Sequence, residues 1–160
     1  MSTLHHMGLG ALVLVVGVGL VPGFGDAAMV KLSLPQLTSQ ADVIVRGTVT
    51  SQASAWNAQR TAIYTDVTVA VEEAVKGSPA ATVTFRIAGG VVGDVGMRTS
   101  NDPVFQDGEQ VIVFLSTQGA AGAVVGLRQG KYTVRGGTVN GDGQTMPVAD
   151  FIAAIRAASR

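Results

Sequence analysis

Ile63–Val71 alternates strictly, with Ile63, Thr65, Val67, Val69 and Val71 on one side and Tyr64, Asp66, Thr68 and Ala70 on the other. Successive side chains of an extended backbone point to opposite faces, so this spacing specifies a half-buried β-strand. Thr82–Ile87 repeats the scheme, with Val83, Phe85 and Ile87 against Thr82, Thr84 and Arg86. In Asp42–Thr50, Val43, Val45 and Val49 oppose Arg46 and Thr48. Gln110–Leu115 (QVIVFL) is apolar on both faces, which predicts a central strand or one covered by a helix. Ala123–Leu127 and Lys131–Arg135 add strand material around Gln129-Gly130, and Arg135–Gln144 (RGGTVNGDGQ) is turn chemistry with Asn140-Gly141 as its hairpin signal. Gly47, Gly126 and Gly130 interrupt the patterns where bulges or barrel corners fall.

Helix is expected only at the two ends. Ser33 and Gln36 have capping-box spacing, Leu32 and Leu37 can form the accompanying staple, and the helix should end near Ala41. Toward the C-terminus Pro147 suits a first helical turn and Asp150 complements the helix start. Val148, Phe151, Ile152 and Ile155 then make one apolar stripe, with Arg156 and Arg160 near the negative end. The expected fold is mainly β: a small OB-like antiparallel β-barrel of five to six strands with a short N-terminal helix and a C-terminal helix. An open α+β sandwich is the alternative.

The N-terminus reads as an export signal. Met7–Gly25 carries no charge, Leu9–Val21 is an apolar core, and Pro22-Gly23 breaks it. Gly25-Asp26-Ala27 places small residues before a cut after Ala27, with Ala28 as the second choice. The core is shorter than the ~20 residues of a membrane span, so no stable span is expected after processing. Residues 1–27 are thus read as signal peptide and 28–160 as one barrel domain, secreted or periplasmic and bacterial.

Processing at that point removes His5 and His6, and the chain has no cysteine. Metal, thiol and neutral-pH acid–base chemistry then lose their usual residues, so no cofactor, no metal and no enzymatic activity are expected. Loss of Asp26 leaves a nearly neutral chain without a basic cluster, which argues against a nucleic-acid partner. None of Lys31, Lys76 and Lys131 stands in a Ser-x-x-Lys spacing that could activate a nucleophile.

The order of Leu37–Val49 (LTSQADVIVRGTV), Ile63–Gly77 (IYTDVTVAVEEAVKG), Gly89-Gly90, Phe105–Leu115 (FQDGEQVIVFL) and Gly126–Tyr132 (GLRQGKY) resembles a group of uncharacterised exported bacterial proteins. Those in turn resemble the netrin-like and tissue metalloproteinase inhibitor OB folds. The likeness covers Ser33 to Val134: Ala-Asp before a hydrophobic strand, a long strand ending in Lys-Gly, and Gly-Glu before an apolar strand. The inhibitors are disulfide-bonded and present an N-terminal cysteine, which this chain lacks. The resemblance implies a secreted metalloprotease as partner, with Ala28 at its zinc through the free amine and carbonyl and Met29 in its specificity pocket.

The remaining candidate positions lie in loops. Gly89–Gly96 (GGVVGDVG) is glycine-rich, but no helical pattern follows it, so it reads as a flexible or bulged barrel loop and not a phosphate cradle. With the loop Met97–Gln106 it offers a contact surface on which Asp94 and Asp102 are binding candidates. Asp94, Asn101, Asp102, Asp107 and Glu109 are too loosely spaced for calcium, and Asp107-Gly108 reads as the turn entering the next strand. Glu72 and Glu73, adjacent on a strand, should face opposite ways. Trp56, in the polar stretch Ser51–Thr61, is a cap over the barrel end or a ligand platform. The functional expectation is an exported, non-catalytic module that binds a protein, peptide or glycan through its loops. Inhibition of secreted zinc proteases is the alternative.

Overall fold

A computed structural model describes residues 29–119 and 121–160. The expected signal over 1–27, its cleavage point and Ala28 lie outside the described residues. The chain runs α1 (Leu34–Gln40), β1 (Val43–Trp56), β2 (Ile63–Lys76), β3 (Thr82–Ala88), β4 (Gly90–Val92), β5 (Val95–Met97) and β6 (Gln110–Ser116). It continues through β7 (Ala123–Val124), a 3-10 turn (Leu127–Gly130), β8 (Lys131–Arg135), β9 (Thr138–Gly141), β10 (Gln144–Pro147) and α2 (Val148–Ala158). Among these, no helix is long and apolar enough to cross a membrane.

The expectation of mainly antiparallel β-structure with a helix at each end holds, but the five-to-six-stranded closed barrel does not. Eight strands form one open sheet in the order β10-β9-β8-β6-β1-β2-β3, with β7 beside β6, and β4–β5 form a separate pair. A ring would close if β3 and β7 formed a ladder. Instead one backbone bond runs from Arg86 N–H of β3 to the carbonyl of Gly122, the residue before β7, at 3.3 Å. β7 is two residues long and gives way at Val125-Gly126 to the 3-10 turn, where Ala123–Leu127 was expected to continue as strand.

β6 is the hinge of the packing. Val111, Val113 and Leu115 enter an apolar cluster with Val45, Val49, Val67, Val69, Phe85 and Val124, inside the curl of β1, β2, β3 and β7. Ile112 and Phe114, on its other face, join Leu37, Phe151, Ile152 and Ile155 of the two helices. A strand apolar on both faces is thus covered on both. Phe114 meets the rings of Tyr132 and Phe151 at 5.8 and 6.4 Å between centroids. The helices follow their signals: Ser33 and Gln36 form the reciprocal capping box, and the stripe Val148, Phe151, Ile152, Ile155 is buried. Lys76, at the end of β2, donates to the Thr38 and Ala41 carbonyls, both at 2.6 Å, and so closes the C-terminal end of α1.

Two local expectations are corrected. Arg46 lies opposite Glu73 and Gly47 opposite Val71, so Glu72 is the extra residue of a bulge. A bulge breaks the alternation, and both carboxylates reach Arg46, Glu73 at 3.5 Å and Glu72 at 3.9 Å. Gly47 is required there, since a Cβ would lie 2.1 Å from the Ala70 carbonyl oxygen. Asn140-Gly141, in turn, is paired strand and not a turn. The two-residue turns are Gly136-Gly137 (φ +56, +76) and Asp142-Gly143 (φ +47, +73), both with the positive φ pairs of type I′ hairpins.

Candidate functional site

Gly89 and Gly90 turn the chain off the end of β3 and back over the sheet. Gly89 N–H donates to the Ile63 carbonyl at 2.8 Å, and its own carbonyl accepts from Thr65 Oγ1 at 2.7 Å. Thr65 Oγ1 also pairs with Ser54 Oγ at 2.8 Å. Both residues have positive φ, +85 and +137, and a Cβ on Gly90 would stand 2.4 Å from each of those hydroxyl oxygens. Only glycine permits so close an approach. The segment expected as a loop is therefore a β-hairpin, β4 and β5 joined by Gly93-Asp94, with φ +59 at Gly93 alone as a type II′ turn requires. Its three-residue strands are too short to show a period.

Residues 98–109, a loop as expected, return along the other side. Phe105 is buried edge-to-face on Phe85, with centroids 5.3 Å apart. Lys131 Nζ donates to the Val104 carbonyl and to Glu109 Oε1, each at 2.7 Å, and stands 5.0 Å from the Phe105 ring centroid. Glu109 also accepts from Thr133 Oγ1 at 2.6 Å and from Gln106 N–H at 3.1 Å. This ion pair, 13% and 10% exposed, is tied down on every side and fixes the loop.

Between hairpin and loop lies a cleft of about 380 Å³. Thr65, Ile87, Gly90, Met97, Val104 and Phe105 supply much of its lining, with Gln52, Arg98 and Asp102 among its polar groups. Ile63 N–H donates to Met97 Sδ at 3.3 Å, which holds that side chain at the rim. Burial pushes the Asp102 carboxyl above its ordinary range, because the surrounding protein removes water from the charged form.

Of the five positions singled out from the sequence, Ala28 lies outside the described residues, and of the other four Asp102 alone lines this cleft. Asp94 sits exposed in the β4–β5 turn. Trp56 is half-buried and closes β1 opposite Ile63; Ser51–Trp56 is strand, not loop, because backbone pairing with β2 extends it beyond its own apolar pattern. Met29 is half-buried at the start of the described chain. Asp107 accepts from Gln52 Nε2 at 3.0 Å, and Glu109 is bound to Lys131. Among the described residues no three such side chains stand close enough to hold a metal. Met97 and Val104 fall within the stretch expected as a contact surface; Ile87, on β3, does not, and the visible signal for it was the glycine pair that folds the hairpin over it.

A second contact lies at the N-terminal segment. Gln129, buried in the 3-10 turn, accepts from Leu32 N–H at 2.8 Å and donates to the Val30 carbonyl at 3.0 Å, so its amide holds residues 30–32 extended. Lys31 adds an exposed pair with Asp142 at 3.5 Å. Comparison with known proteins gives no match to any family model, curated protein or solved structure.

Proposed function

We propose that this chain is an exported, non-catalytic binding module whose contact surface is the cleft under the β4–β5 hairpin. One observation carries the reading: Val91, Val104 and Met97, which line the cleft, stand 67%, 50% and 37% exposed. Exposed apolar side chains gathered at the mouth of a cleft are generally retained where a partner covers them. Here they sit on two loops anchored to a rigid sheet, the usual way to hold a binding surface in shape. The Thr65 hydroxyl on the cleft wall is bonded to Ser54 and to the Gly89 carbonyl, and the nearby Lys131 ammonium is engaged by Glu109, which argues against their use in nucleophilic chemistry.

The test presents the immobilised protein to an envelope extract beside two variants, Val91→Asp/Val104→Asp and, on the opposite face of β3 from Phe85, Thr84→Asp. Partners held through the cleft bind wild type and Thr84→Asp but not the double variant. An identical set on all three rejects the assignment. Export is tested separately: expressed in a bacterium, the mature protein should appear outside the cytoplasm about 2.7 kDa lighter, at ~0.1 kDa per residue removed. Full-length protein held in the membrane would reject it.

Inhibition of a secreted zinc protease is kept as a second reading because the Gln129 amide fixes Val30 and Leu32 beside the proposed mature terminus. A chain beginning at Ala28 should inhibit and one residue longer should not, since a zinc–nitrogen distance of ~2.0–2.1 Å leaves no slack. Equal inhibition by both removes the reading.

A further inference from the structure

Two opposite charges line the cleft without pairing. Arg98 and Asp102 both contribute to its wall, yet among the described residues neither takes part in an ion pair. Elsewhere the fold joins such groups closely: Arg86 grips Asp66 with two bonds of 2.7 and 2.8 Å, and Lys131 holds Glu109 at 2.7 Å. An unpaired charge in open water needs no explanation. Asp102 is different, because it is half-buried among apolar groups and partly stripped of water. It is a site where an added cation regains what burial removed. Arg98, exposed at the rim, offers a flat, always-charged fork suited to a carboxylate.

Val91 and Val104 both line the cleft and stand 67% and 50% exposed, so its mouth is apolar and open. The backbone along β5 is open too. Val92 and Val95 flank the two-residue turn, so Gly96, opposite Val91, is the next, non-hydrogen-bonded position and turns its N–H and C=O outward. A Cβ on Gly96 would meet only Val91 Cγ2, at 3.8 Å, so there is room beside it for another chain.

We propose that the cleft takes an extended peptide segment of a partner protein, one apolar side chain seated between Ile87 and Val104, flanked by a basic residue at Asp102 and an acidic residue at Arg98. The assignment rests on the binding-module reading above and specifies its ligand. Apolar burial supplies affinity, the two charges set the register, and Gly96 offers the backbone contacts of strand addition.

The probes are capped pentapeptides titrated into the isotope-labelled protein and followed by amide chemical shifts: Lys-Val-Leu-Val-Glu, Glu-Val-Leu-Val-Lys and the neutral Gln-Val-Leu-Val-Gln. Free leucine serves as the small-molecule arm. One of the two charged peptides should shift Gly89, Gly96, Met97 and Val104 and bind about tenfold tighter than the neutral one, each partly screened contact adding roughly threefold. Asp102→Asn and Arg98→Gln should each remove part of that advantage, and about 0.5 M salt should shrink it. If the neutral peptide binds the cleft as tightly as both charged ones, the charge assignment is wrong while the binding module stands. Leucine producing the same shifts at the same concentrations overturns the peptide in favour of a small ligand. If no peptide shifts the cleft, the proposal fails, and the envelope-extract experiment decides independently whether the module reading fails with it.

Discussion

Asp42 accepts from Thr117 N–H at 2.7 Å, from Thr117 Oγ1 at 3.1 Å and from Ser116 Oγ at 3.3 Å, and these bonds hold its carboxyl below the ordinary range. Asp66 is held down in the same sense by its bonds from Arg86. Both favour the folded state above the unfolded carboxyl pKa of about 3.9 and lose that contribution as acid protonates them. Asp102 has the opposite sign. Burial raises its folded pKa, so the fold is relatively favoured while the group is neutral, and that contribution is lost as pH rises through the raised value. At neutral pH its charge is therefore a burden on stability. Asp102→Asn should raise the melting temperature at neutral pH, by an amount that shrinks toward zero as the pH falls below about 4. Melting curves followed by circular dichroism at several pH values test this; a lower melting temperature at neutral pH, or a gain that grows in acid, would contradict it. Asp102 was visible in the sequence as a loop acid. Its value as a site comes from Phe105, Ile87 and the hairpin around it, contacts that no local pattern encodes.

At the scale of elements the β4–β5 hairpin is the part that makes the surface, and Gly90 is the residue that seats it. Its φ of +137 and the hydroxyls 2.4 Å from an added Cβ make Gly90→Ala costly, because Ser54 and Thr65 are locked to each other and to Gly89. The expected loss is about 1–3 kcal/mol, with faster amide exchange confined to residues 89–105. Gly96→Ala in the same hairpin, where φ is ordinary and the nearest atom stands 3.8 Å away, should be nearly neutral. Equal protection in both variants would mean that the hairpin is not fixed by this contact. The same element shows where sequence reading stopped. β1, β2 and β3 were legible because alternating runs reveal which face is buried, β6 because its unbroken apolar run marks a strand covered on both faces, and both helices because caps and stripes are local signals. Three-residue strands reveal no period. In NGDG two hairpin signals overlap, and only the pairing of Asn140 with Thr133 on β8 selects Asp142-Gly143 as the turn. Glu72 and Glu73 share a side because the bulge opposite Gly47 is a property of two strands, invisible in either alone.

Across the whole molecule, stability must come from packing, since the chain has no cysteine to form a disulfide. A closed barrel would hold a single core inside its ring. The open sheet instead carries one cluster inside its curl and another under the helices, and β6 feeds both. The two clusters share that strand's backbone, so loss of either should unfold the other rather than leave a half-folded remnant. Phe85→Ala removes the ring packed on Phe105 in the curl, and Phe114→Ala the one packed on Tyr132 and Phe151 beneath the helices. Each is buried to 1% exposure or less and should cost about 3–5 kcal/mol. That is a large share of the ~5–15 kcal/mol that holds a domain folded. Trp56, the chain's one tryptophan, reports from the end of β1, while far-ultraviolet circular dichroism reports the helices together with the sheet. In urea titrations the two signals should move together in wild type and in both variants, with midpoints shifted by similar amounts. If Phe114→Ala releases helical signal at a urea concentration where Trp56 fluorescence is still native, the helix-side cluster is a separate unit, and β6 does not couple the two faces.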